Sequence, residues 1–199
     1  KFELDEIGNP IPFSWNKCKL ETISFGHGIT TTPLQAAAAY ASLVNGGKLI
    51  LPTLEKNKNN NLNFKRIISE ETSIKMKKIL RKVVTDQKGT ASLANIYGYN
   101  VSGKTGTSQY YNDESKNINT FIAFFKALNK NYVLLVMLDN PQIAKNLIYD
   151  YRGVKIKGTR NEAGWNAVYT SGKIIEKIGP ILAINNKEVP IHHVVEKTN

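Results

Sequence analysis

A lysine, a glycine and two threonines follow one another in the middle of the chain, and together they could bind and stabilise a negative charge. They are Lys104, Thr105, Gly106 and Thr107. Side chains alternate between the faces of a strand, so Thr105 and Thr107 would share a face, and Lys104 would reach it along its long stem. Two hydroxyls beside a cation suit a substrate that ends in a carboxylate, and a free backbone N–H at an edge strand can stabilise an oxyanion. The segment therefore favours acyl-transfer chemistry.

The same segment also matches a nucleotide-binding pattern. From Gly98 to Thr105 the chain reads Gly-Tyr-Asn-Val-Ser-Gly-Lys-Thr, which fits the phosphate-loop consensus. A phosphate loop opens a helix, yet the next residues are a glycine and small hydroxyl residues, which form helices poorly. An ATP- or GTP-binding protein is therefore the alternative from another class of function. It predicts a helix that begins at Lys104, whereas acyl transfer predicts a strand there.

Two helices are predicted before this segment. Thr32 as N-cap and Pro33 at the first helical position begin one helix, which the glycines at 46–47 end. Ser69 caps a second, amphipathic helix, and the Asn-rich residues 56–63 between the two helices are predicted to form a loop. The positions of this second helix that are predicted to be buried are Met76, Ile79, Leu80, Val83 and Val84, and those predicted to face water include Lys75 and Arg81.

An antiparallel sheet is predicted in the second half of the chain. The β-rich segments near 97–109, 120–127 and 132–139 have short links between them, which indicates consecutive antiparallel strands. Residues 110–117 are polar and are predicted to form a connecting loop, and residues 140–161 a surface excursion.

A final helix is predicted to pack on one face of this sheet. It covers residues 164–178 and is expected to end at Gly179 and Pro180. The domain is predicted to cover residues 1–184, and residues 185–199 are predicted to form a polar, loosely ordered tail.

The composition excludes several classes of function. The net charge is +11, but 27 − 4 = 23 of the basic residues are lysines. This composition differs from that of proteins that bind nucleic-acid phosphates through arginines, so no nucleic-acid partner is expected. Cys18 is the single cysteine and is predicted to be a small buried hydrophobe. His27, His192 and His193 lack metal-ligand spacing with carboxylates, so no metal is expected.

Several segments together resemble the penicillin-binding proteins. Residues 104–107 resemble the third signature of that family and of the serine β-lactamases. Residues 24–35, which read SFGHGITTTPLQ, and residues 40–47 resemble the stretch that precedes this signature in class B. Residues 121–125 and 133–141 resemble the two strands that follow it. Since order and spacing agree, the chain is similar to the C-terminal part of a class B transpeptidase domain. The pattern is most similar to the division-specific, septal transpeptidases, and the elongation-specific ones are the nearest alternative.

The resemblance implies a fold, a reaction and a site. The implied fold is α/β, of the α+β type, with an antiparallel sheet flanked by helices and incomplete in this chain. The implied reaction is serine-based D,D-transpeptidation without a cofactor. Lys104 would supply positive charge, Thr105, Gly106 and Thr107 would bind the carboxylate end of the substrate, and the backbone N–H of Thr107 would form half of an oxyanion hole.

The nucleophile that the resemblance implies is expected to lie outside this sequence. The family's Ser-x-x-Lys motif has no credible counterpart here, and Ser14-Trp15-Asn16 reads Ser-x-Asn without a nucleophile before it. Both motifs are expected upstream, so the chain is expected to be a truncated or partial product that is inactive alone. A sensor or scaffold that keeps the fold without the chemistry is a further hypothesis, which an intact upstream motif would oppose.

The resemblance also implies partners and a location. The expected ligands are peptidoglycan stem peptides that end in D-Ala-D-Ala, and β-lactam antibiotics. Membrane proteins of the division machinery and a glycosyltransferase are the expected protein partners. The expected location is the periplasmic face of the bacterial inner membrane, held there by an upstream helix.

Overall fold

The computed structural model describes residues 18–26, 28–29, 31–54, 64–110 and 113–185. Within them lie four α-helices, α1 (Lys19–Ser24), α2 (Pro33–Val44), α3 (Glu70–Thr85) and α4 (Ala167–Asn185), and a short 3-10 helix, Ser92–Ala94. The strands are β1 (Ser102–Tyr110), β2 (Asp113–Ala127), β3 (Lys130–Asp139), β4 (Ile148–Tyr151) and β5 (Val154–Lys157).

The predicted starts of α2 and α3 are confirmed, and their caps explain them. The Thr32 hydroxyl accepts a hydrogen bond from the Gln35 N–H at 3.1 Å, and the Gln35 side chain accepts one from the Thr32 N–H at 2.9 Å. Pro33 follows at the first helical position, where its missing N–H costs nothing. The Ser69 hydroxyl accepts from the Thr72 N–H at 3.1 Å and caps α3 in the same way.

The central sheet has the order β1-β2-β3 and is antiparallel throughout, as predicted. Phe121 on β2 is fully buried and, with Ile175 of α4, belongs to the core on one face. Ile122 and Phe124 point to the other face, where they pack with Leu80 of α3 and with apolar residues of α2. Helices therefore cover both faces of an antiparallel sheet, which confirms the predicted fold class.

The predicted strand bounds are partly wrong. Residues 97–100 form a turn in which Gly98 and Asn100 have positive φ, so β1 begins only at Ser102. The segment 110–117, predicted as a loop, contributes to β1 and β2 instead, apart from residues 111–112, which lie outside the described part. Its side chains are polar because this end of the ribbon is solvated, and Lys116 pairs with Asp113 at 3.2 Å.

The segment 140–161 is not a plain surface excursion, since it holds the β4–β5 hairpin. Each strand has four residues, too few for a period to be recognised in the sequence. The final helix also differs from its predicted range of 164–178. It begins at Ala167 and continues through Pro180 to Asn185, because Ile178, Leu182 and Ala183 on both sides of the proline pack against the core.

Three side chains differ from their predicted environments. Ile79 of α3 is 54% exposed, since the buried stripe of that helix runs through Leu80 and Val84. Arg81 is half-buried, because its guanidinium bends back to donate to the carbonyl of Val101. Cys18 is exposed rather than buried, at the N-cap of the short helix α1.

Some expectations concern residues that the structure does not describe. These are the loop at 56–63, the Ser-x-Asn triplet at 14–16, all three histidines and the tail from residue 186 onward. In the described ranges, no helix has the length and apolarity that crossing a bilayer requires. Those ranges also hold no group of three or more metal-ligating side chains.

Candidate functional site

The four residues singled out by the sequence lie together on β1, which is one of the two outer strands of the described sheet. Lys104 and Thr107 are exposed, while Thr105 and Gly106 are half-buried. Lys104 continues a strand and does not begin a helix. The phosphate loop predicted by the nucleotide-binding alternative, Gly98–Thr105, is therefore wrong, since it requires a helix N-terminus at this lysine.

The backbone of β1 presents Thr107 to the open edge of the sheet. The Asn140 N–H donates to the Asn117 carbonyl at 2.8 Å, so odd-numbered residues of β2 direct their backbone groups to β3. Even-numbered ones, including Thr120, then face β1. Gly106 lies opposite Thr120 and bonds to β2, so the N–H of its neighbour Thr107 faces outward, away from the sheet. A backbone donor at a strand edge is available to a ligand.

Lys104 reaches this edge from the opposite face of the strand. Its Cβ lies on the side of Ile122, its cross-strand partner, whereas its ammonium donates to the Thr105 carbonyl at 2.8 Å. By the alternation of strand backbone groups, the carbonyl of Thr105 also points to the edge. The cation and the outward N–H of Thr107 thus lie along the same edge, as the sequence predicted for a lysine with a long stem.

The two threonine hydroxyls have neighbours that the sequence did not indicate. Thr105 Oγ1 lies 3.0 Å from Thr90 Oγ1, and Thr107 Oγ1 accepts a hydrogen bond from the Ala163 N–H at 3.4 Å. Thr90 follows α3, and Ala163 precedes α4. No local pattern marks either residue as part of a site, because the contacts join segments 15 and 56 positions apart.

Two glycines keep β1 close to β2 at this site. A Cβ on Gly103 would lie 2.3 Å from the Ile122 carbonyl oxygen and 2.7 Å from the ring of Phe121. A Cβ on Gly106 would lie 2.5 Å from the Thr120 hydroxyl, which donates to the Gly106 carbonyl at 3.3 Å. The absence of side chains at both positions lets the strand that carries the lysine and threonines lie flat against its partner.

A chain of asparagine side chains holds the segment that contacts Thr107. Asn119, opposite Thr107 on β2, is fully buried and donates to the Asn161 carbonyl at 2.6 Å. Asn161 donates to the Pro141 carbonyl at 2.6 Å, and the Asn166 side chain accepts from the Ala167 N–H at 2.6 Å. The Oδ1 atom of Asn119 has no partner within the described residues. Sequence reasoning missed this network, because asparagines are common in the chain and these are distant from one another.

A described cavity lies elsewhere. It has a volume of about 610 Å³ and lies between α2, α3 and the far end of the β2–β3 hairpin. Phe124 and Tyr132 line it with Arg81, whose pKa is lowered by burial. Among the residues that line this cavity, Ser102 alone belongs to β1, the strand that carries Lys104, Thr105 and Thr107. The candidate site is thus an open strand edge, on which a cation, two hydroxyls and a backbone donor could together bind an anion.

The comparison with protein families gives a match over most of the chain. Residues 3–158 match the family described as "Penicillin binding protein transpeptidase domain". The match includes all of β1, β2 and β3 and ends after β5.

Individual relatives agree with this match. "Probable peptidoglycan D,D-transpeptidase FtsI" of Caulobacter vibrioides is 32% identical over 200 residues, which cover 94% of this chain and 32% of the relative. "Stage V sporulation protein D" of Bacillus subtilis is 38% identical over 136 residues, covering 61% of this chain and 21% of the relative. The chain thus spans about a third or less of the length of these relatives.

Solved structures have the same fold. The TP domain of Burkholderia pseudomallei penicillin-binding protein 3 superposes with a TM-score of 0.64 at 23% identity, covering 87% of this chain and 48% of that one. The transpeptidase domain of FtsI4 D,D-transpeptidase from Legionella pneumophila gives 0.55 at 26% identity, covering 81% of this chain and 53% of that one.

Proposed function

This chain belongs to the penicillin-binding protein transpeptidase family, and from that premise we propose that it forms part of a peptidoglycan D,D-transpeptidase. One observation carries the proposal. Lys104, Thr105 and Thr107 lie on an edge strand with the ammonium and the Thr107 N–H along the open side. That arrangement suits a substrate with a terminal carboxylate and a reacting carbonyl.

Each of these groups has a proposed role. The hydroxyls of Thr105 and Thr107 bind the carboxylate of the stem peptide or of a β-lactam, with Gly106 leaving room between them. The Thr107 N–H supplies half of the oxyanion hole. Lys104 adds positive charge that favours the bound carboxylate and assists proton transfer. Fixed donors stabilise the developing oxyanion without having to reorganise during the reaction.

The reaction we propose is acyl transfer through a serine that lies upstream of these residues. The serine hydroxyl loses its proton and attacks the penultimate D-alanine carbonyl, and the bond to the terminal D-alanine breaks as that residue leaves with a proton. An amine of a neighbouring stem peptide then attacks the ester, forms the new amide and returns the serine. No cofactor is required, since every step exchanges a nucleophile and a proton.

We place this activity in septal wall synthesis. The support is the similarity to a relative named FtsI over 94% of the chain. An elongation-specific enzyme of the same class is the second candidate. Depletion that blocks septation while side-wall growth continues would support the septal role, and the reverse phenotype would support elongation.

The proposal extends to location and partners. A transpeptidase that acts on the wall works on the periplasmic face of the inner membrane, and an anchor upstream of this chain would keep it there. Division-machinery membrane proteins and a glycosyltransferase are the proposed partners, because new glycan strands must be supplied where they are cross-linked. Fluorescent fusions at the septum, and co-purification with such proteins, test this part.

The direct test of the activity is acylation by a labelled penicillin. The longer gene product that contains this chain is expected to form a covalent adduct, and unlabelled D-Ala-D-Ala peptide is expected to compete with it. Absence of an adduct in a folded, full-length protein would contradict the proposed function and favour a scaffold or sensor.

A further inference from the structure

Thr90 lies against the proposed carboxylate site but is not part of β1. Its hydroxyl oxygen is 3.0 Å from that of Thr105, and its segment connects α3 to the short 3-10 helix. We propose that Thr90 is a positioning residue that orients the Thr105 hydroxyl toward a carboxylate, and that Arg152 holds Thr90 in place. This inference rests on the proposed function.

The direction of the hydrogen bond follows from the ligand. A carboxylate only accepts hydrogen bonds, and a threonine hydroxyl has a single proton to donate. When Thr105 donates that proton to a carboxylate, it can only accept from Thr90. Thr90 therefore donates to Thr105, and two hydroxyls in series polarise each other and strengthen the outer bond. Without Thr90, the Thr105 hydroxyl could rotate freely away from the ligand.

The segment before Thr90 is fixed to the end of α3. The Ala91 N–H donates to the Val83 carbonyl at 3.0 Å, and the Gly89 N–H donates to the Asp86 carbonyl at 2.9 Å. A Cβ on Gly89 would lie 2.4 Å from the Val83 carbonyl oxygen, so the bend requires glycine. These contacts fix the backbone of Thr90 within a tight turn.

The tip of the β4–β5 hairpin holds the same turn from the other side. The Arg152 guanidinium donates to the carbonyl of Asp86 at 2.5 Å and to that of Gly89 at 3.4 Å. It also lies over the Tyr151 ring, 5.3 Å from its centroid. A planar guanidinium that bridges two carbonyls restrains both, so the hairpin fixes the turn that carries Thr90.

The two segments that contact Thr105 and Thr107 also pack against each other. Gly164 packs on the Thr90 carbonyl so closely that a Cβ there would lie 2.6 Å from the oxygen. Ala163, directly before it, donates its N–H to the Thr107 hydroxyl. The segments that orient Thr105 and Thr107 thus form one packed unit, and a shift of either would move both hydroxyls.

The experiment compares a β-lactam carrying its free carboxylate with the methyl ester of the same compound, on the full-length gene product. Thr90→Val keeps the shape and removes the hydroxyl. We expect its second-order acylation rate constant for the carboxylate compound to fall about 3- to 10-fold, the effect of one neutral hydrogen bond. The ester rate should not change. Thr90→Ser should restore the carboxylate rate, and Arg152→Gln should reproduce the carboxylate-specific loss.

Two further variants complete the design. Thr90→Val combined with Thr105→Val should be no slower than Thr105→Val alone, because Thr90 acts only through Thr105. Thr85→Val is the matched control, since that hydroxyl bonds the Arg81 carbonyl of its own helix. Equal losses for the acid and the ester, or additive losses in the double variant, would overturn this inference alone. A wild-type protein that reacts with neither compound would overturn the proposed function and the inference with it.

Discussion

At the scale of single residues, the proposed site depends on a cation that reaches it indirectly. Lys104 starts on the face of Ile122 and ends at the Thr105 carbonyl on the strand edge. A shorter or uncharged side chain could not supply charge there. The strand itself would keep its backbone bonds to β2, because they do not involve the lysine side chain.

We therefore predict that Lys104→Ala slows penicillin acylation of the full-length protein by at least about 10²-fold, the lower end of what a positioned proton-transfer group contributes. The melting temperature should stay unchanged. Stopped-flow acylation and a thermal melt measure the two quantities. Lys75→Ala is the control, because that lysine forms an exposed ion pair with Glu71 on α3. Near wild-type acylation by a normally folded Lys104→Ala protein would remove the proposed role of the lysine.

Thr105→Val tests recognition rather than chemistry. Removing the hydroxyl deletes one hydrogen bond to the carboxylate, so affinity should fall by about 1.5–3 kcal/mol, the range for bonds to charged groups. The acylation rate at saturating β-lactam should change less than the β-lactam concentration that gives half of that maximal rate. A concentration series of acylation rates separates the two effects. A loss confined to the saturated rate would contradict the assignment of Thr105 to carboxylate binding.

At the scale of elements, the sequence predicted helices better than strand ends. The N-termini of α2 and α3 follow from local caps at Thr32 and Ser69, so they could be identified. The start of β1 depends on the turn at 97–100, and the β4–β5 hairpin is too short to show a period. The passage of α4 through Pro180 depends on tertiary packing, which outweighs the local preference to end a helix there.

The candidate site shows the same division. Lys104 and the threonines could be found because they are consecutive and their alternation fixes their faces. Thr90 and Ala163 could not be found, since they reach β1 only through the packing of α3 and α4. Contacts between distant segments leave no local spacing in a single sequence.

Gly103 provides an element-scale prediction, because β1 and β2 approach too closely there for any side chain. Gly103→Ala would place a methyl group 2.3 Å from the Ile122 carbonyl and against the Phe121 ring. We expect a loss of about 1–3 kcal/mol in the free energy of unfolding, typical of overpacking. Denaturant unfolding of the chain measures it. Gly106→Ala is the comparison, because its nearest obstacle is the Thr120 side chain, and it should cost less. An undiminished stability of Gly103→Ala would contradict the described strand pairing.

At the scale of the whole molecule, the described site is proposed to supply the anion-binding half of an acyl-transfer centre. Lys104, Thr105 and the Thr107 N–H lie on one open edge, and the reacting serine is proposed to come from upstream of these 199 residues. The chain also spans about a third of the FtsI relative, which leaves most of that relative's length outside the comparison. The halves of the centre would then be contributed by different parts of a longer protein.

This division predicts where a covalent penicillin adduct forms. The 199-residue chain alone should fold but gain no mass with penicillin, because the reacting serine is proposed to lie upstream of these residues. The longer gene product should gain one penicillin, and peptide mass spectrometry should locate it on a peptide outside these residues. Lys104→Ala should slow formation of that adduct without changing its position, since the lysine is proposed to assist the reaction and not to carry the acyl group. A hydrolysis-resistant adduct on a serine of the 199-residue chain would show that the nucleophile was misplaced, even if the lysine variant behaved as expected.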